Sequence, residues 1–309
     1  MAQPGAYYTN MLDVVVYLSS LQKQSPGRKV DTLTAFADGA RSQGATVHLE
    51  TQNTYTPAKL AVMLGWASPQ QHTPNIKLRA HIIQQQQQLG NHTMCIDANC
   101  FKFADHDSRY LRYSIGSPFY DTGNYANKNS DSARWKQLSK DLGVGVHDWR
   151  STGNYILLLM QRDGGFTMKG LHPLAWTEQK IKLIQQHTDM PILLRPHPGK
   201  MADPTALIQP GVTVSDPTQH SLLKDLKHAA GAFVFNSSSG VAATLRGVPL
   251  WVDDPSSVCW QVANTDAGTI HNPVMPDRTQ WLNDLSACHW TDEESRQGLI
   301  YKKFLPYLV

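Results

Sequence analysis

The sequence predicts an α/β protein built as two Rossmann-like domains that face each other across a cleft. Three observations carry this expectation. The chain has 309 residues, about two domains at roughly 150 residues each. Short β-rich runs alternate with helical stretches through most of it, the pattern of parallel sheets covered by helices on both faces. A loop-rich stretch without clear period separates two such halves. The junction is expected near residues 149–153, giving domains 1–150 and 151–309.

In the first half, strands are expected at residues 13–18, 46–51, 60–66 and 93–97, and helices at about 30–42 and 75–89. Gly44 and Gly90 stand where those helices should stop. The glutamine run at 84–88 reads as the solvated face that closes the second helix. Residues 98–150 are rich in Asp, Asn, Ser, Gly and Tyr and show helical period only from 132 to 142. Long irregular segments are uncommon in compact proteins and are often functional. In the second half, strands are expected at 155–161, 191–195, 211–215, 232–236 and 248–253. Trp176, Ile181 and Ile184 are spaced for a helix over 176–187. Further helices are expected over 221–228 and from Ser238.

Composition bounds the class. Hydrophobic residues make up 41% and charged residues 17%, a globular balance. No apolar run approaches the ~18 residues that span a bilayer. The opening MAQPGAYYTN has neither a basic start nor a long apolar core, which speaks against a secretory leader and for the cytoplasm, a host's if the chain is phage-encoded. Net charge is +3, which permits a polyanionic partner without demanding one. Cys95, Cys100, Cys259 and Cys288 form no C-x-x-C pair and are expected as reduced thiols.

Two motifs carry chemistry. Leu194-Arg195-Pro196-His197-Pro198-Gly199-Lys200 follows a strand directly. In an open α/β sheet the ligand binds beyond the carboxyl ends of strands, and the prolines stiffen the backbone around His197. This is either a phosphate-binding turn or a proline-rich surface turn with an incidental histidine. Phe235-Asn236-Ser237-Ser238-Ser239-Gly240-Val241 also follows a strand and opens a helix. Hydroxyls and free N–H groups there suit an anion, and Gly240 suits close approach of backbone to ligand. Simple N-capping would account for one serine. A nucleophile elbow is disfavoured because the first Gly of G-x-S-x-G is missing. Together the two motifs offer what a diphosphate leaving group needs.

These motifs resemble those of the nucleotide-sugar domain of GT-B glycosyltransferases, especially the capsule-polysaccharide, Kdo and bacterial sialyltransferase-like groups. The match rests on His197-Pro198, on Ser237 to Ser239, and on the step Leu245-Arg246-Gly247-Val248-Pro249-Leu250, and covers roughly residues 150–309. The resemblance implies a GT-B fold. It implies donor contacts from Arg195 and His197 to the phosphates and hydrogen bonds from Ser237, Ser238 and Ser239. Gln161 and Arg162, ending the second domain's first strand, face the same cleft in this reading, and Asp254, Ser256 and Ser257 reach the ribose or base, with helix capping an equal alternative for Asp254. The acidic-acidic-Gly motif of these families has only partial copies, Ala37-Asp38-Gly39 and Arg162-Asp163-Gly164.

An inverting transfer needs a carboxylate to take the acceptor's proton, expected from the first domain. Asp97 at a strand end is the first choice, with an Asx turn as its structural alternative. Asp121 is second, with Glu50 and Asp38 behind it. Asp105-His106-Asp107 matches a D-x-D metal pattern, but no essential metal is expected. The segment 101–135 interleaves Phe101, Lys102, Arg109, Tyr110, Arg112, Tyr113 and Trp135. Such residues can stack on bases and pair with phosphates or form a lid over a donor sugar.

The expectation is therefore a metal-independent glycosyltransferase, monomeric or weakly dimeric, with a UDP-sugar as donor or a CMP-sugar as the other choice. Its acceptor is expected to be the hydroxymethyl group of a modified cytosine in double-stranded DNA, as in phage-type enzymes, with Arg109, Arg112 and Tyr113 at the acceptor. A capsule or lipopolysaccharide acceptor is the alternative. A sugar-nucleotide epimerase and a non-catalytic binding module are the readings from other classes.

Overall fold

The computed structural model describes residues 11–21, 27–67, 73–164, 166–199 and 202–308. Lys200 and the first ten residues, on which the leader expectation rests, lie outside them.

The first half runs β1 (Leu12–Tyr17), α1 (Gly27–Ser42), β2 (Val47–Glu50), β3 (Ala58–Leu64), α2 (Pro74–Gln88), β4 (His92–Ala98), β5 (Tyr110–Ile115) and α3 (Ala133–Leu142). The second runs β6 (Tyr155–Leu159), α4 (Pro173–Gln185), β7 (Ile192–Arg195), β8 (Val212–Val214), α5 (Leu222–Leu226), β9 (Ala229–Val234), α6 (Ser239–Leu245) and β10 (Leu250–Val252). The chain then returns through α7 (Thr279–Ser286), β11 (His289–Thr291), α8 (Asp292–Arg296) and α9 (Leu299–Phe304).

Two sheets form, ordered β11-β5-β4-β3-β1-β2 and β10-β9-β6-β7-β8. The second is parallel throughout. Its buried strands read as continuous apolar runs, such as Tyr-Ile-Leu-Leu-Leu in β6, because helices cover both faces. From central β6 the chain moves to one side through β7 and β8, then crosses to β9 and β10 on the other. The reversal opens a crevice at the carboxyl ends of β6 and β9.

Local chemistry explains the element ends. Pro74 and Pro173 sit in the first turns of α2 and α4, where a missing N–H costs nothing. A capping box of Thr291 and Glu294 starts α8. The expected stops Gly44 and Gly90 both take left-handed φ.

Two elements depart from the sequence expectation. The stretch read as irregular contains β5, which pairs antiparallel with β4 and β11. Its alternation is obscured because Arg112 sits mid-strand as a largely buried cation. The last residues do not stay with the second sheet. β11 joins the edge of the first sheet, and α8 and α9 pack on α1. Gly39 makes this possible, since a Cβ there would lie 1.8 Å from the Ser295 carbonyl oxygen. That close approach accounts for the glycine of the partial Ala37-Asp38-Gly39 motif, while Asp38 is exposed and pairs with Arg41 at 3.1 Å.

One hydrophobic cluster crosses between the halves. Cys100, Phe101, Tyr110 and Leu138 pack in it with Leu157, Leu159 and Val234 of the second sheet and with Trp281 and Leu285 of α7. The loop after β4 is therefore anchored against the carboxyl ends of β6 and β9. All four cysteines are free and buried.

Candidate functional site

Register brings the two motifs together. Leu159 of β6 lies opposite Arg195 of β7 on one side and Val234 of β9 on the other. The histidine turn and the serine segment thus leave the sheet on either side of β6, roughly 10 Å apart at two strand spacings. Residues 160–164 emerge between them.

His197 is half-buried. Its Nδ1 accepts the Gly199 N–H at 3.0 Å, so in the neutral ring the proton sits on Nε2 as a free donor. Burial, and then the positive charges of Arg162 and Lys102, hold its pKa below the ordinary histidine value. Arg162 comes from the end of β6 and Lys102 from the loop after β4, so both halves supply charge. Ser237 and Ser239 share a hydroxyl–hydroxyl bond of 2.8 Å, and the Ser237 hydroxyl accepts the Ser239 N–H at 3.2 Å. Ser238 is exposed.

A polar network joins this edge to the first half. Gln161 donates to the Asn236 side-chain oxygen. Asn236 donates to the Thr167 carbonyl at 2.8 Å and to Ser256 Oγ at 2.7 Å. Ser256 donates to Asp254, which accepts from Lys169 Nζ at 2.8 Å. Lys169 in turn lies 3.5 Å from Asp121 of the first half. Burial works against the charge on Asp254, but Lys169 and Ser256 hold its carboxyl below the usual range. The Tyr120 N–H also donates to the Ser256 carbonyl at 3.0 Å, and Phe119 meets Phe166 edge to face.

Two α/β sheets, one mixed and one parallel throughout, a shared cleft edge and a closing C-terminal segment define an architecture seen in solved structures. The chain superposes on Thermosulfurimonas dismutans KpsC, beta Kdo 2,4 transferase, with TM-score 0.58 and 12% identity over 92% of each chain. It superposes on the KpsC beta Kdo 2,7 transferase of the same organism with TM-score 0.52 and 13% identity, over 94% of this chain and 99% of that one. The fold is GT-B. No protein-family model and no curated protein matches the sequence.

Within this GT-B frame several expected site residues do other work. Arg195 is buried and pairs with Asp225, and its Nη2 donates to the His220 carbonyl at 2.9 Å. It faces α5 instead of the crevice, because alternate residues of a strand point to opposite faces. Gln161 is 5% exposed and orients Asn236. Gly240 is a packing glycine, since a Cβ would meet Leu250 at 2.9 Å and the Cys259 sulfur at 3.3 Å. Asp254 is committed to Lys169 and Ser256, and Ser256 and Ser257 are buried.

The expected acceptor residues depart most. Tyr113 is fully buried in the first core, stacked on Phe36. Arg112 Nη2 pairs with Asp97 at 3.1 Å, and its guanidinium lies 5.5 Å over the Tyr125 ring. Arg109 donates to the Asp141 carbonyl. Phe101 and Tyr110 are also core residues. An interleaved aromatic and basic pattern reads as a binding face only when the residues are on the surface. Here the aromatics point inward from a strand and its anchoring loop.

Among the carboxylates, Asp97 is the next-to-last residue of β4, with its side chain 31% exposed. Its Oδ1 accepts the Ala98 N–H at 2.8 Å. Glu50 is buried at the far edge strand and accepts from Gln52 N and Thr56. Asp105 accepts from Asn99, Arg109 N and Tyr110 N, which makes it the lock of its loop. Among the described residues no group of three or more His, Cys, Asp or Glu is arranged to hold a metal ion, and no helix is long and apolar enough to cross a membrane.

Asn236, Lys169 and the placement of Lys102 were missed by sequence reasoning. The only signal for Lys169 was the glycine-rich stretch Gly164-Gly165 that follows a strand.

Proposed function

We propose that the protein is an inverting glycosyltransferase that moves a sugar from a nucleotide-sugar donor to a hydroxyl of a saccharide acceptor. One observation carries this reading. His197, whose Nδ1 is taken by the Gly199 N–H, and the serines Ser237 to Ser239 leave the sheet on either side of the carboxyl end of β6 in a GT-B fold, and the positive charges of Arg162 and Lys102 act on the His197 ring. Fixed donors and charges there suit the phosphate on which negative charge develops as the glycosidic bond breaks. The two KpsC structures it resembles are, by name, Kdo transferases, which supports a capsule-type saccharide and makes a CMP-activated carboxylated sugar the first donor to test. The cations suit a donor carboxylate as well as its phosphate.

In this reading Asp97 takes the acceptor hydroxyl's proton. The freed oxygen attacks the anomeric carbon, and the nucleotide phosphate leaves with the bonding electron pair. Arg112 holds the carboxylate in place. Modified DNA is not carried forward as acceptor, since Phe101, Tyr110 and Tyr113 lie in the core and Arg109 and Arg112 are bonded within the first half.

The test is a panel of CMP-Kdo and UDP-, GDP- and dTDP-sugars against capsule-type oligosaccharides, with hydroxymethylated DNA as a further acceptor. Mass spectrometry should find one added sugar on a saccharide. No product and no released nucleotide with any pair would overturn the proposal. A gain on DNA alone would overturn the saccharide assignment.

A further inference from the structure

Lys169 stands at a strained backbone position and bridges the two halves. It follows the single turn Phe166–Met168 with φ +51°, and Gly170 comes next at φ +92°. A left-handed φ strains any residue with a Cβ, and such strain persists where the surroundings over-determine it. Here the side chain reaches both halves. The ammonium lies 2.8 Å from Asp254 Oδ1 of the second half. It lies 3.5 Å from Asp121 Oδ2 and 5.8 Å over the Phe119 ring, both of the first half. The first-half anchor is tightly built. The Gly123 N–H donates to the Phe119 carbonyl at 2.7 Å, Tyr125 Oη donates to the Pro118 carbonyl at 2.5 Å, and a Cβ on Gly123 would fall 2.2 Å from the Ser117 carbonyl oxygen. The second-half end leads to the serine segment. Ser256 donates to Asp254 and accepts from Asn236, which immediately precedes Ser237. The loop 117–123 thus grips the Ser256 segment twice, by the Tyr120 N–H at 3.0 Å and through Lys169.

We infer that Lys169 is a positioning residue: it docks the first half onto the segment that fixes Ser237 to Ser239, so that the spacing of the halves and the setting of the serines change together. The inference rests on the glycosyltransferase reading for what the serines bind, and on the contacts alone for the tie. Three features favour it. The chain from Asp121 through Lys169, Asp254 and Ser256 to Asn236 is unbroken at ion-pair or hydrogen-bond distance. Both ionic contacts converge on one ammonium, so a single substitution removes both. The shorter contact lies within the second half, so opening breaks only the 3.5 Å arm and leaves Asp254 paired. The Lys169 side chain is 40% exposed, which places this arm within reach of screening by salt.

Two measurements on the full chain test this. All four native cysteines are buried, so spin labels go to Gln88→Cys in α2 and Lys182→Cys in α4, both exposed positions. Electron–electron double resonance should give one narrow distance distribution with Lys169 in place and a broader one in Lys169→Met. Lys169→Arg should stay narrow, because a guanidinium can span both carboxylates. At about 1 M salt, where the Debye length falls to about 3 Å, the distribution with Lys169 should broaden and that of Lys169→Met should not. In parallel, isothermal titration with CMP and UDP should show about fivefold or greater loss of affinity in Lys169→Met, the lower end of coupling between distinct sites, with arginine restoring most of it. An unchanged distribution in Lys169→Met, or nucleotide affinity equal to that of the wild type, would overturn the inference. If the wild type binds neither nucleotide while Lys169→Met still broadens the distribution, the positioning role falls with the donor reading, and only the tie between the halves remains.

Discussion

Arg195 and Asp225 form a buried ion pair, 7% and 4% exposed, at the carboxyl end of β7. The arginine that leads the Arg-Pro-His-Pro turn is thus a tie between β7 and α5, and the histidine two residues later is what reaches the crevice. Ser215 Oγ donates to the same carboxylate at 2.6 Å, so Asp225 joins three elements.

Removing one partner of such a pair leaves a buried charge uncompensated. Arg195→Met is expected to cost about 3–5 kcal/mol of stability, seen as a lower urea midpoint at unchanged slope. A loss below about 1 kcal/mol would show that the pair does not hold β7 to α5.

His197→Ala should behave in the opposite way. The ring makes one local hydrogen bond, to Gly199, so thermal stability should stay near that of the wild type. Turnover should fall by about 10²-fold or more if its Nε2–H stabilises the leaving phosphate. An unchanged rate in a folded variant removes that role.

In the proposed transfer, Asp97 and Asp121 are the two carboxylates to be told apart as proton acceptor. Asp97→Asn is expected to abolish transfer while leaving nucleotide binding intact. Asp121→Asn removes the 3.5 Å contact to Lys169 and should weaken the link between the halves with only a modest loss of rate. If Asp121→Asn is dead and Asp97→Asn is active, the assignment is reversed.

His289 predicts an acid sensitivity unrelated to the site. It is fully buried, and burial, then Arg112, depresses its pKa from 6.5 to about 3. Its Nε2 accepts the Cys100 N–H, so the neutral ring is the bonded form. The unfolded chain binds a proton near pH 6.5 and the folded one does not. The stabilisation is present above pH 6.5 and is lost as pH falls towards 3, at up to about 1.4 kcal/mol per pH unit. Urea unfolding from pH 7 to 4 should show this slope, and His289→Gln should flatten it. The same slope in the variant would place its origin elsewhere.

Gly39→Val should separate the C-terminal return from α1, since even a Cβ falls 1.8 Å from the Ser295 carbonyl. Limited proteolysis should then cut within residues 289–308, which the wild type is expected to protect. Equal protection would show that the contact is dispensable.

The alternating apolar and helical runs determined both sheets' parallel strands. A strand buried on both faces needs a continuous apolar run, and its periodicity survives without knowledge of neighbours. The two motifs at strand ends were legible for the same reason, since a strand's end is where a sheet presents side chains. Tertiary structure alone decided which way those side chains point. Arg195 turns to Asp225, and Tyr113 enters the core. Such choices depend on partners 30 or more residues away in sequence, and local pattern carries no record of them. The return of β11 to the first sheet is of the same kind. A three-residue edge strand has too little pattern of its own, and its place is set by Arg112 and Leu111 on the neighbouring strand.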